Sequence, residues 1–140
     1  MKYITTDEEG TLEVAGMLAR TLRPGAVVAL IGELGTGKTV FARGVARALG
    51  IGEKVTSPSF TLIHEYHGSI PLYHMDLFRM NSVEEMLNIG IEDYFSGDGI
   101  CIIEWAEKMK ELFPQDAVCV TLKHLGNTHR EIDIDWPTTL

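Results

Sequence analysis

Cysteine is nearly missing from this chain: Cys101 and Cys119 are the only two among 140 residues. Each lies in an apolar, strand-like run, so both read as small packed hydrophobes rather than as a disulfide or a metal centre. No apolar run approaches the length of a membrane span, and Met1-Lys2-Tyr3-Ile4-Thr5-Thr6 lacks the pattern of a signal peptide. The expectation is a cytoplasmic protein with no membrane association. Basic residues are also scarce. Twelve Lys and Arg face twenty Asp and Glu, a net charge of −8, and no Lys/Arg cluster offsets it. Direct nonspecific binding to nucleic acid needs a basic face that displaces counterions, so any nucleic-acid role runs through another protein. The histidines (His64, His67, His74, His124, His129) are scattered without metal-ligand spacing. No linker, repeat or low-complexity segment divides the chain, which reads as one domain over residues 1–140.

Against these absences stands one complete motif. Gly32-Glu33-Leu34-Gly35-Thr36-Gly37-Lys38-Thr39 has the G-x-x-x-x-G-K-[ST] spacing of a phosphate-binding loop. Its glycines let successive backbone N–H groups turn toward one point and form an anion nest. Lys38 can reach the outer phosphates, and the Thr39 hydroxyl can ligate Mg²⁺. The flanks agree. Residues 26–31 are an apolar run, read as a buried parallel strand. Residues 39–49 read as a helix with Phe41, Val45, Ala46 and Leu49 on one face. A bound phosphate would then sit at a helix N-terminus, where the dipole helps hold it.

The rest of the chain alternates helices and strands. Residues 7–22 read as an amphipathic helix with Thr6 or Asp7 as N-cap, ended by Arg23-Pro24-Gly25. Gly50-Ile51-Gly52 closes the second helix. Residues 55–60 read as a hydroxyl-rich loop. Residues 61–66 and 70–75 form a β-hairpin around His67-Gly68-Ser69. Ser82-Val83-Glu84-Glu85 is a capping box opening a helix to about Ile89, with another helical turn over 91–95. Residues 100–103 are a buried strand, and 106–113 a helix stopped by Pro114. Two last strands, 117–122 and 130–136, are joined by Leu125-Gly126-Asn127-Thr128. The expected fold is α/β, a P-loop NTPase-like three-layer sandwich. Its mixed sheet has a parallel core extended by antiparallel hairpin strands.

A phosphate loop needs a second acid for the metal, ordinarily at the end of an apolar strand beside the loop strand. Two segments offer one: Ile100-Cys101-Ile102-Ile103-Glu104 and Leu72-Tyr73-His74-Met75-Asp76. One acid can serve the metal and the other orient the attacking water. His74 shares a strand face with Asp76 and either touches the same site or packs in the core. Trp105 is a core or interface aromatic, or a nucleotide contact. The hydroxyls of Thr56–Thr61 either sense a γ-phosphate or form an ordinary turn. No Asn-Lys-x-Asp segment is present to read guanine, and Asp7-Glu8-Glu9-Gly10 precedes the loop, the wrong order for a GTPase switch; adenine is favoured. Four of the six arginines (Arg20, Arg23, Arg43, Arg47) lie on the first two helices, so no arginine lid of the small-molecule kinase kind follows the loop. A P-loop kinase acting on a metabolite is the alternative activity, and a nucleotide-dependent binding module a third reading.

Five blocks together resemble the TsaE (YjeE/YdiB) family of bacterial tRNA threonylcarbamoyladenosine synthesis. They are the phosphate loop, Ser57-Pro58-Ser59-Phe60-Thr61, Tyr73-His74-Met75-Asp76-Leu77-Phe78-Arg79, Gly90-Ile91-Glu92-Asp93-Tyr94-Phe95 and Ile103-Glu104-Trp105. They fall in the family's order across roughly residues 7–135. The resemblance implies an ATP-binding subunit with weak intrinsic hydrolysis. Such a subunit acts on the TsaB–TsaD pair, of which TsaD modifies adenosine 37 of tRNAs reading ANN codons, so tRNA is met only through partners. Carried onto this chain, Leu34, Gly35, Thr36, Gly37 and Lys38 hold phosphates, and Thr39 with Glu104 holds Mg²⁺. Asp76 serves water activation or the metal shell, and Glu8 and Arg130 lie near the adenine. The catalytic set is then Asp76, Glu104 and Lys38.

Overall fold

The apolar run before the phosphate loop is a strand buried on both faces, and everything that positions the site is built around it. The computed structural model describes residues 1–33, 35–52, 54–56, 63–78, 80–106 and 111–136. Strands are β1 (Lys2–Thr5), β2 (Val27–Ile31), β3 (Ile63–Tyr66), β4 (Leu72–Asp76), β5 (Ile100–Glu104), β6 (Val118–Gly126) and β7 (His129–Asp135). Helices are α1 (Glu8–Ala19), α2 (Lys38–Ala48), α3 (Val83–Asn88) and α4 (Ile91–Phe95). The strands form a seven-stranded sheet in the order β1-β7-β6-β2-β5-β4-β3. The central four run parallel, while β3 pairs with β4, β7 with β6 and β1 with β7 in antiparallel fashion. The expected parallel core with antiparallel additions is therefore present.

Alternation of side chains divides the core into two layers. Val28, Leu30, Leu72, Ile100, Ile102 and Val120 point to the face covered by α1 and α2, where they meet Leu18, Phe41 and Val45. Val27, Ala29, Met75, Cys101 and Ile103 point to the other face, against Met86 of α3 and Ile91 of α4. Helices on both faces of a mixed sheet give the three-layer α/β architecture of a P-loop NTPase-like fold. Both cysteines are free thiols, as expected of packed hydrophobes, and burial pushes the Cys101 thiol up to about 12. Among the described residues no helix is long and apolar enough to cross a membrane.

Several local expectations are refined. Asp7, not Thr6, caps α1: its Oδ1 accepts from Gly10 N–H at 2.8 Å. The helix stops at Ala19 rather than Leu22, because the Thr21 hydroxyl donates to Leu18 O at 2.7 Å and closes a turn. Ser82 caps α3 by accepting from Glu85 N–H, and Glu85 reaches back to Asn81 N–H. The four-residue connection 125–128 is a tight turn instead. β6 runs on to Gly126 past a bulge at His124, and Asn127, at φ 49°, makes the corner. β1 is a strand that the sequence reading did not contain. The helix expected over 106–113 and the hydroxyl-rich segment 55–60 fall partly outside the described residues.

The two helices beside the site pack unusually closely at Gly44. A Cβ there would lie 2.6 Å from Ala15 Cβ and 2.8 Å from the Leu12 carbonyl. Gly44→Ala should destabilise the protein by roughly 1–3 kcal/mol through overpacking, outweighing the helix-propensity gain of about 0.5–1 kcal/mol. Thermal melts check this. Ala15→Gly in the same chain should recover part of the loss, and a Gly44→Ala variant that melts above the parent would refute it.

Candidate functional site

The phosphate loop links β2 to α2. Gly37 is the N-cap of α2 with φ 99°, a left-handed backbone that a residue with a Cβ rarely adopts. That conformation turns the chain directly into the helix, so the helix N-terminus opens where the motif places phosphate. Thr36 stabilises the preceding turn. Its N–H and its hydroxyl both donate to Glu33 O, at 3.3 and 2.8 Å. Lys38 is 5% exposed, and its Nζ donates to Gly32 O at 2.6 Å. The same ammonium sits 3.3 Å from the centroid of the Trp105 ring, a cation–π contact. Thr39 follows, half-buried in the first turn of α2. Leu34 lies outside the described residues.

The sheet order separates the two candidate acids. β5 lies directly beside β2, with Leu30 opposite Glu104, whereas β4 is one strand further out, with Asp76 opposite Glu104. The acid at the end of the strand adjoining the loop strand is thus Glu104. Asp76 and Glu104 project to the same face as α2, since they alternate in phase with Leu72, Ile100 and Ile102. Both are buried, at 5% and 3% exposure. Phe78 N–H donates to Asp76 Oδ1 at 2.8 Å, fixing that carboxylate in the turn that leaves β4.

His74 joins this group. It is fully buried, and its Nε2 lies 2.5 Å from Glu104 Oε2. A carboxylate accepts, so the proton of this bond belongs on Nε2. Nδ1 has no hydrogen-bond partner among the described residues. The core reading of His74 holds, and its bond ties the imidazole of β4 to Glu104 at the end of β5. Trp105, immediately after Glu104, has φ 60°, a genuine outlier for a bulky residue. Its ring meets both Lys38 and Phe78, the Phe78 and Trp105 centroids lying 5.0 Å apart. Sequence reasoning had not identified Gly32 O and Trp105 as the seat of Lys38; the left-handed turn at Trp105 leaves no signal in residue type.

A cavity of about 110 Å³ adjoins the mouth of α2, lined by Asp7, Glu8, Thr11, Gly37, Val40, Thr128 and Arg130. It brings Glu8 and Arg130 together beside the loop. The Glu8 carboxylate pairs with Arg43 at 3.4 Å, and Glu9 with Arg47 at 3.6 Å, so two of the helix arginines tie α1 to α2. Thr11, Val40 and Thr128 were not anticipated. Thr128 donates to Thr6 O at 2.5 Å, which closes the β6–β7 turn over the start of α1.

Comparison with known proteins settles the lineage. A profile described as "Threonylcarbamoyl adenosine biosynthesis protein TsaE" matches residues 5–132. The chain belongs to the TsaE family. A TsaE relative from Bacillus subtilis, a tRNA threonylcarbamoyladenosine biosynthesis protein, is 43% identical over 133 residues, covering 94% of this chain and 83% of the relative. A second TsaE, from Treponema pallidum, is 40% identical over 134 residues, covering 96% and 99%. The crystal structure of Bacillus subtilis YdiB superposes with a TM-score of 0.84 at 39% identity, covering 98% of this chain and 85% of that one. Membership of the TsaE family together with the P-loop fold supports a nucleotide-binding role for the site.

Proposed function

We propose that residues 1–140 form a single P-loop ATPase domain. It serves as the Mg²⁺-dependent ATP-binding and hydrolysing subunit needed for threonylcarbamoyl modification of adenosine 37 in tRNAs reading ANN codons. It acts on the TsaB–TsaD complex in the cytoplasm and meets tRNA only through those partners, consistent with a net charge of −8. The observation that carries this reading is the placement of Glu104 and Asp76 at the carboxyl ends of adjacent strands, on the face of α2, the helix that Lys38 opens after β2.

In this reading the backbone of Gly35, Thr36 and Gly37, with Leu34 before them, cradles the phosphates, and Lys38 neutralises the outer ones. Glu104 and the Thr39 hydroxyl are the hard oxygen donors available for Mg²⁺. Among the described residues no cluster of three or more His, Cys, Asp or Glu could hold a metal alone. That fits an ion held by one carboxylate, one hydroxyl and the phosphates. Bound there, Mg²⁺ would neutralise charge on the β- and γ-oxygens. Asp76, held by Phe78 N–H, orients the attacking water or supports the metal shell. Glu8 and Arg130 flank the base in the cavity beside α2. In this reading intrinsic hydrolysis is weak and stimulated by the partners, as the TsaE resemblance implies; Arg43 and Arg47 are engaged by Glu8 and Glu9.

The test is association with purified TsaB–TsaD, with and without ATP, with phosphate release measured in parallel. ATP-sensitive binding and partner-stimulated release are expected. No association in either condition would refute the assignment. Phosphoryl transfer to a metabolite in the absence of partners would favour the kinase alternative.

A further inference from the structure

We propose that Arg130 is a positioning residue that sets the peptide planes of the phosphate loop from behind, a task beyond flanking a base. The inference rests on the nucleotide reading of the loop. The guanidinium commits four of its five N–H groups to backbone carbonyls. Nε donates to Thr36 O at 3.2 Å and one Nη to Gly35 O at 3.4 Å. The other Nη donates to Asn127 O at 3.2 Å and His129 O at 3.0 Å. The last two bonds anchor the group to its own turn. That turn can present both carbonyls because Gly126 and Asn127 are left-handed, at φ 106° and 49°. The first two bonds reach across to consecutive peptides of the loop.

Those two peptides carry the N–H groups of Thr36 and Gly37. No peptide bond in the described chain is cis, and in a trans peptide C=O and N–H point in opposite directions. Holding the carbonyls of Gly35 and Thr36 toward Arg130 therefore turns the following N–H groups toward the other side of the loop. The Thr36 N–H rests on Glu33 O at 3.3 Å, a long bond that an anion can replace. Bonding a cation to the oxygen end of a peptide also polarises its N–H, which strengthens donation to an anion. Arg130 lies beside Gly37: a Cβ there would meet Arg130 Nε at 3.8 Å, an ordinary contact distance. Among the described residues no carboxylate pairs with Arg130, so its charge is spent on the loop. β-Sheet pairing makes the support rigid, since Arg130 lies between Thr5 of β1 and His124 of β6.

The experiment compares the parent, Arg130→Ala and Arg130→Lys by calorimetry with tripolyphosphate, ATP and adenosine, and by amide hydrogen exchange of the ligand-free proteins. Arg130→Ala should lose affinity for tripolyphosphate roughly tenfold, as two charge-assisted bonds that act indirectly are removed, and affinity for ATP by at least that factor. Its amides at residues 35–38 should exchange faster while the sheet amides keep the parent rate. Arg130→Lys should fall between the two, because an ammonium keeps the charge but does not span two carbonyls. Unchanged exchange at residues 35–38 in Arg130→Ala overturns the proposal, as does a loss confined to ATP and adenosine with tripolyphosphate unaffected. The exchange measurement needs no ligand. A parent protein that binds neither tripolyphosphate nor ATP would remove the nucleotide reading, while exchange would still decide the positioning role. Arg130→Lys provides the same readout if Arg130→Ala does not fold.

Discussion

Lys38→Ala is expected to reduce ATP affinity by about 100-fold or more, measured by isothermal titration. Hydrogen bonds to charged groups are worth about 1.5–3 kcal/mol each, and each 1.4 kcal/mol is about tenfold in affinity. In the proposed function Lys38 makes such bonds to the outer phosphates from the first turn of α2. Its ammonium is held by Gly32 O and by the Trp105 ring, so its position is restrained rather than sampled. A restrained cation contributes its attraction with little ordering cost. Lys38→Arg should not restore binding fully, because a planar fork does not replace a compact ammonium between a carbonyl and a ring. Unchanged ATP affinity in Lys38→Ala would move the phosphate site away from this loop.

Glu104 is expected to separate metal dependence from stability. Glu104→Gln keeps an amide oxygen that can accept from His74 Nε2, so its melting temperature should stay close to that of the parent. Under the proposed function its ATP affinity should lose the increment that Mg²⁺ adds in the parent. Glu104→Ala should lose that increment and also destabilise the fold. His74 is fully buried and its Nδ1 already lacks a partner, so removing the carboxylate orphans Nε2 as well. Leaving a buried polar group unpaired costs about 1–3 kcal/mol, or roughly 4–12 °C in melting temperature for a domain of this size. Titrations with and without Mg²⁺, paired with thermal melts, give both readouts. Full Mg²⁺ dependence in Glu104→Gln would transfer the metal role to Asp76, the other strand-end acid of the pair.

The elements read correctly from sequence are those whose signal is local. β2 and β5 are short apolar runs, α2 follows a glycine loop, and α3 opens on a capping box whose hydrogen bonds are all formed within five residues. β1 had no such signal. Lys2-Tyr3-Ile4-Thr5 is four residues long, with Ile4 60% exposed, and it is a strand only because β7 offers it a partner more than a hundred residues away. The end of α1 and the long reach of β6 were likewise decided by a turn hydroxyl and by pairing with β7, neither of which periodicity records.

The division is the same within the site. By itself the sequence presented the motif of a phosphate-binding loop, because glycine spacing, lysine and hydroxyl are a local pattern readable without any distant partner. It also supplied the resemblance to the TsaE family, which a profile match over residues 5–132 establishes. Only the tertiary structure decided which acid adjoins the loop, since strand order in a sheet is set by long-range packing: β5 beside β2 puts Glu104 there, and β4 puts Asp76 one strand away. It alone seated Lys38 on Trp105, bonded His74 to Glu104, and folded Arg130 from the last hairpin back onto the loop. Each of these contacts joins groups that chain order separates by tens of residues, and only the packed sheet brings them within bonding distance.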